Sequence, residues 1–363
     1  MADEAPQRGA DSDMPAPTSP AAPAAPATPA TSATPAAPTT PGASKFIPPS
    51  VDAEKLDSGA SYTHHAPLPD AIAADKSTPC ILGVDEAGRG PVLGPMVYAV
   101  AYMAKPHEQL LRDHKFDDSK KLTAAVRTAL LRSTCTPGSA LHGAVGWAAT
   151  LVSPRDISAG MLRGGGGSGS YNLNAQAYDT TAALIRGVQA LGVNVAEIYV
   201  DTVGPAAAYQ ARLAKMFPSA CVTVTAKADA LYPIVSAASV CAKVTRDAAL
   251  DSFASAAAAA VALGSGYPGD ERTKLWLRRT LDPVFGWDRR LARFSWRTVR
   301  DLMEGPAALA ADVEWPGQDS DDDDYDGGDD ARKITGFFGG PSCGPAAESA
   351  FVGWYGRPVG SDF

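Results

Sequence analysis

The sequence predicts an α/β domain: a mixed sheet of five strands flanked by helices, followed by a smaller helical C-terminal part. Three observations predict it. Short apolar runs rich in branched residues recur at 81–84, 96–102, 140–150, 197–200 and 222–226, and such runs read as buried strands. Helical stretches separate the later runs, and helical crossovers imply parallel neighbours that share a carboxyl edge. Two of the runs end in an acid followed by a glycine turn, Val84-Asp85 and Val200-Asp201. Ligands of open α/β sheets bind at that edge.

Residues 1–78 are expected to be a disordered leader. Ala, Pro, Ser and Thr dominate it, and apart from Met1 and Met14 no large apolar side chain appears before Phe46 and Ile47. Such a segment buries too little surface to offset its ordering entropy. It lacks the charged start and apolar centre of a signal peptide, and Asp3, Glu4, Asp11 and Asp13 argue against a mitochondrial transit peptide. His64 and His65 fall inside it and are expected to be solvated rather than metal-bound. No apolar run is long enough to span a bilayer.

The catalytic part is expected over 79–262. Its first strand, 81–84, ends in Asp85 and Glu86, followed by Gly88-Arg89-Gly90. Side chains on a strand alternate between faces, so adjacent carboxylates share one site only where the extended geometry stops. The glycines are placed to stop it. A solvated strand end also carries acids; the glycine-flanked arginine sets this pair apart. The run 96–102 then returns as the antiparallel neighbour.

A helix is expected over 123–133, with Asp118 or Ser119 as its cap. Lys120 and Lys121 oppose the helix dipole there and suit an anionic partner, so both readings of this motif stand. The third strand is 140–150. The glycine-rich run 163–170 is not followed by Lys-Ser/Thr, which rejects a P-loop. A helix then runs to about residue 191 with Asn172 or Asn174 as cap.

The fourth strand, 197–200, delivers Asp201. A helix over 206–216 leads to the fifth strand, 222–226, and on to Lys227-Ala228-Asp229. From residue 230 the chain is helical in character, with Pro233 forcing a break or occupying a first turn. The helical C-terminal part, 263–316, opens with a Gly264–Pro268 loop and continues into a basic stretch over 271–300. Phe285, Trp287, Phe294 and Trp296 interleave with its arginines. They are as able to pack on the core as to stack on bases, and core packing is the favoured reading.

The formal net charge is -8, but eight aspartates lie between 319 and 330. An acidic block of this kind belongs to a disordered tail, here 317–363, and without it the chain is near neutral. The net charge therefore does not exclude a nucleic-acid partner. Five cysteines at wide spacings, with no Cys-x-x-Cys pair, fit a reducing compartment better than a disulfide framework or a zinc site.

Taken together, DEAGRG (85–90), DSKKL (118–122), YNLN (171–174), VDTVG (200–204), KADALYPIVSAAS (227–239), GSGYP (264–268) and RFSWRT (293–298) resemble, in order and spacing, the catalytic A subunits of eukaryotic type 2 ribonuclease H, within the ribonuclease HII family. The likeness covers roughly 80–334. It implies a ribonuclease H-like sheet and hydrolysis of RNA in RNA–DNA hybrids, with nicking 5′ of single ribonucleotides embedded in duplex DNA. It also implies that Asp85, Glu86, Asp201 and Asp229 are catalytic and hold two Mg²⁺ or Mn²⁺ ions, with Asp85 bridging them. Two ions about 3.5–4 Å apart flank the scissile phosphate in such chemistry, and carboxylate oxygens suit these hard cations.

By the same resemblance Gly88, Arg89 and Gly90 read the ribose 2′-hydroxyl and phosphate, Tyr267 senses the RNA-to-DNA junction, and Lys120 and Asn172 contact the substrate backbone. Two non-catalytic subunits forming a heterotrimer and a nuclear location are implied as well. Residues 331–338 resemble the family's docking segment and, through Ile334, Phe337 and Phe338, a sliding-clamp box that lacks its usual Gln at Ala331. Two rivals share parts of this pattern. A non-catalytic hybrid-binding scaffold has no need of four repelling acids, and a transposase-like polynucleotidyl transferase does not need the Gly-Arg-Gly and GSGYP loops.

Overall fold

The computed structural model describes residues 45–116, 122–162, 171–202, 205–256, 262–305 and 308–311. Residues 1–44, Lys120, the glycine-rich run 164–170 and the tail 317–363, with its segment 331–338, lie outside the described residues.

Six strands make one sheet in the order β1-β4-β3-β2-β5-β6. They are β1 Tyr62–His65, β2 Cys80–Ala87, β3 Met96–Ala104, β4 Val145–Val152, β5 Val195–Asp201 and β6 Cys221–Thr225. The sequence predicts five strands; the sixth is β1, within the expected leader. Residues 45–78 are not a disordered extension. Helix α1 (Ala53–Ser58) is capped by Asp52, whose carboxylate accepts from the Glu54 and Lys55 amides. Strand β1 pairs antiparallel with β4, His65 opposite Ala148, and α2 (Asp70–Ala73) follows. Polar composition hides this strand, yet His64 lies against Trp147 with ring centroids 5.1 Å apart, and burial lowers its proton affinity.

The remaining helices are α3 (Gln109–Asp113), α4 (Ala124–Cys135), α5 (Ala140–Ala144), α6 (Pro154–Leu162), α7 (Leu173–Ala190), α8 (Ala206–Met216), α9 (Ala228–Leu231), α10 (Pro233–Ala256), α11 (Glu271–Thr280) and α12 (Arg297–Glu304). Two expectations are corrected here. The cap of α4 is Thr123, whose hydroxyl accepts from the Val126 amide, not Asp118 or Ser119. The run 140–150 is not one strand: the Ser139 hydroxyl accepts from the His142 amide and starts a turn of helix before β4 begins. Pro233 opens α10, where its missing N–H costs nothing.

Strand β2 is the hinge of the topology. It runs antiparallel to β3 and parallel to β5, and β5 runs parallel to β6. One sheet face carries Leu82, Val84, Ile198 and Val200 onto α7 and α8, where Leu184, Ile185 and Leu213 complete the main core. The opposite face receives α10. A Cβ on Gly83 would lie 2.5 Å from the Ile234 carbonyl, so that glycine lets the start of α10 rest directly on the sheet. A second apolar cluster joins Val92 and Leu93, from the β2–β3 connection, to Trp276, Leu277, Trp287 and Leu291. This packing ties the turn after β2 to the C-terminal helices. Among the described residues no helix is long and apolar enough to cross a membrane.

Candidate active site

The parallel register places Val84 opposite Val200, so Asp85 and Asp201 follow side by side at the carboxyl edge of β2 and β5. Asp85 is 6% exposed and faces α10, where Ser239 hydrogen-bonds its carboxyl group. Its Oδ1 also accepts from the Glu86 amide at 2.7 Å. Strand β2 continues through Ala87, so extended geometry stops at the glycines as expected but spans both acids, which corrects the expectation that the pair reaches one site from the same side. Glu86 therefore points to the other face, toward Tyr98 and α7. Both acids lie at the sheet edge, but they approach it from opposite sides.

Asp201 ends β5, and its Oδ1 accepts from the Ala228 amide at 3.0 Å. That amide belongs to α9, which starts after Lys227 turns the chain at φ 60°. The next residue is Asp229, 3% exposed. One short turn thus brings the third and fourth acids to the edge already holding the first two. Burial, then the Glu86 charge and, more weakly, Asp201 push the Asp85 carboxyl up to about 8. Burial and Asp201 likewise push Glu86 up to about 7, against the pull of Arg89.

Among the described residues, no three His, Cys, Asp or Glu side chains stand close enough to hold a metal ion as they are. The Oδ1 atoms of Asp85 and Asp201 accept from backbone amides, which fixes both carboxyl groups at the edge. The donor set is all carboxylate oxygen, which fits Mg²⁺ or Mn²⁺ and not a soft metal.

The Gly-Arg-Gly turn is held from below. Arg293, 0% exposed, donates Nη2 to Gly88 O at 2.6 Å, Nη1 to Arg89 O at 3.2 Å and Nε to Gly94 O at 3.0 Å. Trp296 Nε1 donates to Gly90 O at 3.1 Å. With these carbonyls engaged by protein donors, what the turn can offer a ligand is its N–H groups. Gly88 has φ +82°, and a Cβ there would meet Pro95 O at 2.8 Å. A Cβ on Gly90 would instead lie 3.4 Å from the ring of Tyr267, which puts that tyrosine, 46% exposed, against the same turn. Arg246 sits behind both, its Nη2 donating to Ser265 O at 3.0 Å and its guanidinium 5.8 Å from the Tyr267 ring.

Asn172 and Asn174 divide the roles the sequence leaves open. Asn172 Oδ1 accepts from the amides of Asn174 and Ala175 and caps α7. Asn174 Oδ1 accepts from Arg89 Nη2, so Asn174, in the same motif, is the residue joined to the turn.

A family model, Ribonuclease HII, matches residues 82–299. The chain is 45% identical over 321 residues to the A subunit of ribonuclease H2 from Neurospora crassa, covering 88% of this chain and 96% of that one. The A subunit of human ribonuclease H2 is 45% identical over 276 residues, 75% of this chain and 85% of its own. The chain belongs to the ribonuclease HII family. The crystal structure of ribonuclease H2 from Pyrococcus horikoshii superposes with a TM-score of 0.52 at 31% identity, over 62% of this chain and 97% of that one. The fold is thus the ribonuclease H-like mixed sheet flanked by helices.

Sequence reasoning misses Asn174, Arg246 and the inward role of Arg293. Arg293 and Asn174 lie inside motifs that carry the resemblance, and Arg246 is an arginine within the small-residue helix α10. Those are signals that the site extends to them, but their partners lie far away in sequence.

Proposed function

We propose that this chain is the catalytic subunit of a type 2 ribonuclease H, with Asp85, Glu86, Asp201 and Asp229 as its metal-binding acids. It hydrolyses the RNA strand of RNA–DNA hybrids and nicks duplex DNA 5′ of single embedded ribonucleotides. The register that sets Asp85 beside Asp201, with the Gly-Arg-Gly turn springing from the same strand, is the observation that carries the reading.

Asp85, Asp201 and Asp229 would hold the divalent ions from the α10 side, with Glu86 reaching the edge from the other. Bound Mg²⁺ or Mn²⁺ supplies positive charge for the attacking water and for the leaving 3′ oxygen. The buried acids exclude bulk water and hold their negative charge in a fixed array. Arg89 meets the phosphate backbone as a charge-assisted donor. The N–H groups of the turn stand where a ribose 2′-hydroxyl is read at close range, because the Arg293 and Trp296 donors engage its carbonyls. Tyr267, against Gly90, supplies a flat apolar surface at the sugar next to the cut. The products carry a 3′-hydroxyl and a 5′-phosphate.

The relatives are named as A subunits, which supports a multisubunit assembly; the reading adds that it holds two non-catalytic subunits and works in the nucleus. The experiment is incubation of the assembled protein with duplex DNA carrying one ribonucleotide. A Mg²⁺-dependent nick 5′ of that ribonucleotide is expected, and Asp201→Asn should abolish it while leaving hybrid binding within about threefold. Equal cutting of all-DNA duplex, or none of the ribonucleotide substrate, would remove the reading.

A further inference from the structure

Between the sheet and helices α7 and α8 lies a cavity of about 230 Å³ that opens beside the proposed acids, with Glu86, Asp201 and Arg89 in its lining. Val84 and Val200 form its floor, and Tyr98, Tyr178 and Tyr209 wall it. An engineered apolar cavity of about 150 Å³ takes one benzene ring, so this one has room for a fused bicyclic ring. Aromatic walls favour a flat ligand with its own π system. The Tyr178 and Tyr209 rings are fixed relative to each other, with centroids 5.9 Å apart, and Arg212 covers the Tyr178 ring at 3.3 Å.

The apolar and aromatic lining is interrupted by polar side chains, among them Asp201, Thr181 and Thr202, and such placed polar groups orient a ligand. Glu86, on the β2 face opposite Asp85, supplies an acceptor; Arg89 and Arg212 supply donors. The Arg89–Asn174 hydrogen bond crosses the mouth from the turn after β2 to α7. Where the helices approach, they present Ala177 and Ala208, and larger side chains at either position would fill the space. A flat bicycle with N–H donors on one side and ring-nitrogen acceptors on another matches this lining, and a purine has both.

We propose that this cavity binds the purine base of a free nucleoside and that an occupant, lying against Glu86, opposes metal loading at the neighbouring edge. Binding depends only on the cavity; the inhibitory consequence rests on the assignment of Glu86 under the proposed function. The mouth bridged by Arg89 and Asn174 favours a free nucleoside over a base still held in a strand.

The test titrates adenosine into the full chain in EDTA, followed by ligand-observed saturation-transfer NMR, with uridine and a short adenine oligonucleotide as comparators. Saturable adenosine binding is expected, at least tenfold weaker for uridine and for an Ala208→Trp variant. Ala208 is exposed on α8, so the variant should keep its circular dichroism, and its indole, as a built-in occupant, should itself raise the Mg²⁺ concentration needed for hybrid cleavage. Ala177→Leu narrows the cavity from the other helix if Ala208→Trp does not fold. Adenosine should also raise the Mg²⁺ concentration needed for half-maximal cleavage. No saturable binding to the unaltered protein, equal binding to both cavity variants, or binding of the oligonucleotide alone would overturn the proposal. Adenosine binding by a protein that cleaves no hybrid would sink the proposed function and leave the cavity assignment standing.

Discussion

Arg293 donates Nη2 to the carbonyl of Gly88 at 2.6 Å across 205 residues of sequence. The same guanidinium reaches Arg89 O and Gly94 O. Burial and the nearby Arg246 lower its proton affinity to about 9, which still leaves it charged at neutral pH. An acceptor left buried without its donor costs about 1–3 kcal/mol. Arg293→Lys keeps a charge but loses the planar fork. It should lower the urea midpoint and cut kcat/KM on a single-ribonucleotide duplex at least tenfold at a temperature where the variant is folded, with much of the loss in KM. Unchanged KM in a folded variant would show that the turn holds its shape without this clamp.

Gly88 and Gly90 make opposite demands, and alanine separates them. At Gly88 the backbone has φ +82° and a Cβ would meet Pro95 O at 2.8 Å. Left-handed backbone at a non-glycine residue costs about 1–3 kcal/mol, so Gly88→Ala should destabilise the protein before substrate is considered. At Gly90 the new Cβ would rest 3.4 Å from the Tyr267 ring, an ordinary contact. Gly90→Ala should leave the melting temperature within about 2 °C, since surface changes of this kind are worth about ±0.5 kcal/mol, yet weaken hybrid binding by crowding the approach of the sugar. Paired melting curves and binding titrations decide it.

Asp85 and Glu86 make a signed prediction for the protein in EDTA. The folded-state proton affinity of Asp85 is raised from 3.8 to about 8, first by burial. Between those pH values the folded chain keeps a proton that the unfolded chain has released, so stability falls as pH rises through the window. A single such group changes stability by up to about 1.4 kcal/mol per pH unit. Melting temperature in EDTA should therefore drop from pH 5 to pH 8, and Mg²⁺ should restore it more at pH 8 than at pH 5, because fewer protons need be displaced. Asp85→Asn cannot titrate; it should flatten the slope and be more stable than the parent at pH 8. A parallel slope in Asp85→Asn would place the titration elsewhere.

How far the sequence carried the fold depended on whether a signal was local. The apolar runs at 81–84, 96–102 and 197–200 announce β2, β3 and β5, because β2 and β3 are buried on both faces and β5 buries Ile198 and Val200 on one. The extension of β2 through Asp85, Glu86 and Ala87 has no such signal; it is held by pairing with β3, down to Ala87 opposite Val97. Strand β1 is hidden by its histidines, since an edge strand buries only one face and His64 does so against Trp147. Asp85 and Asp201 stood out as strand-end carboxylates before glycine turns, whereas Glu86 and Asp229 joined them in one metal-binding set only through the family resemblance. The donors that shape the turn were not, because Arg293 meets Gly88 only after the whole sheet has formed.

The choice between Asn172 and Asn174 shows what only the folded geometry decides, and it can be tested in one pair of variants. Asn172 caps α7 through the Asn174 and Ala175 amides, and loss of such a cap costs about 0.5–2 kcal/mol. Asn172→Asp keeps the acceptor and should be close to neutral in stability, whereas Asn172→Ala should lose the full cap energy. Asn174→Ala leaves the cap intact but removes one of the two side chains that hold Arg89, leaving Tyr98. That variant should melt near the parent and show a raised KM for hybrid, because more of the ordering of Arg89 then falls to the phosphate. If Asn172→Ala instead raises KM at unchanged stability while Asn174→Ala does not, the substrate contact belongs to Asn172 and the Arg89–Asn174 bond is incidental to binding.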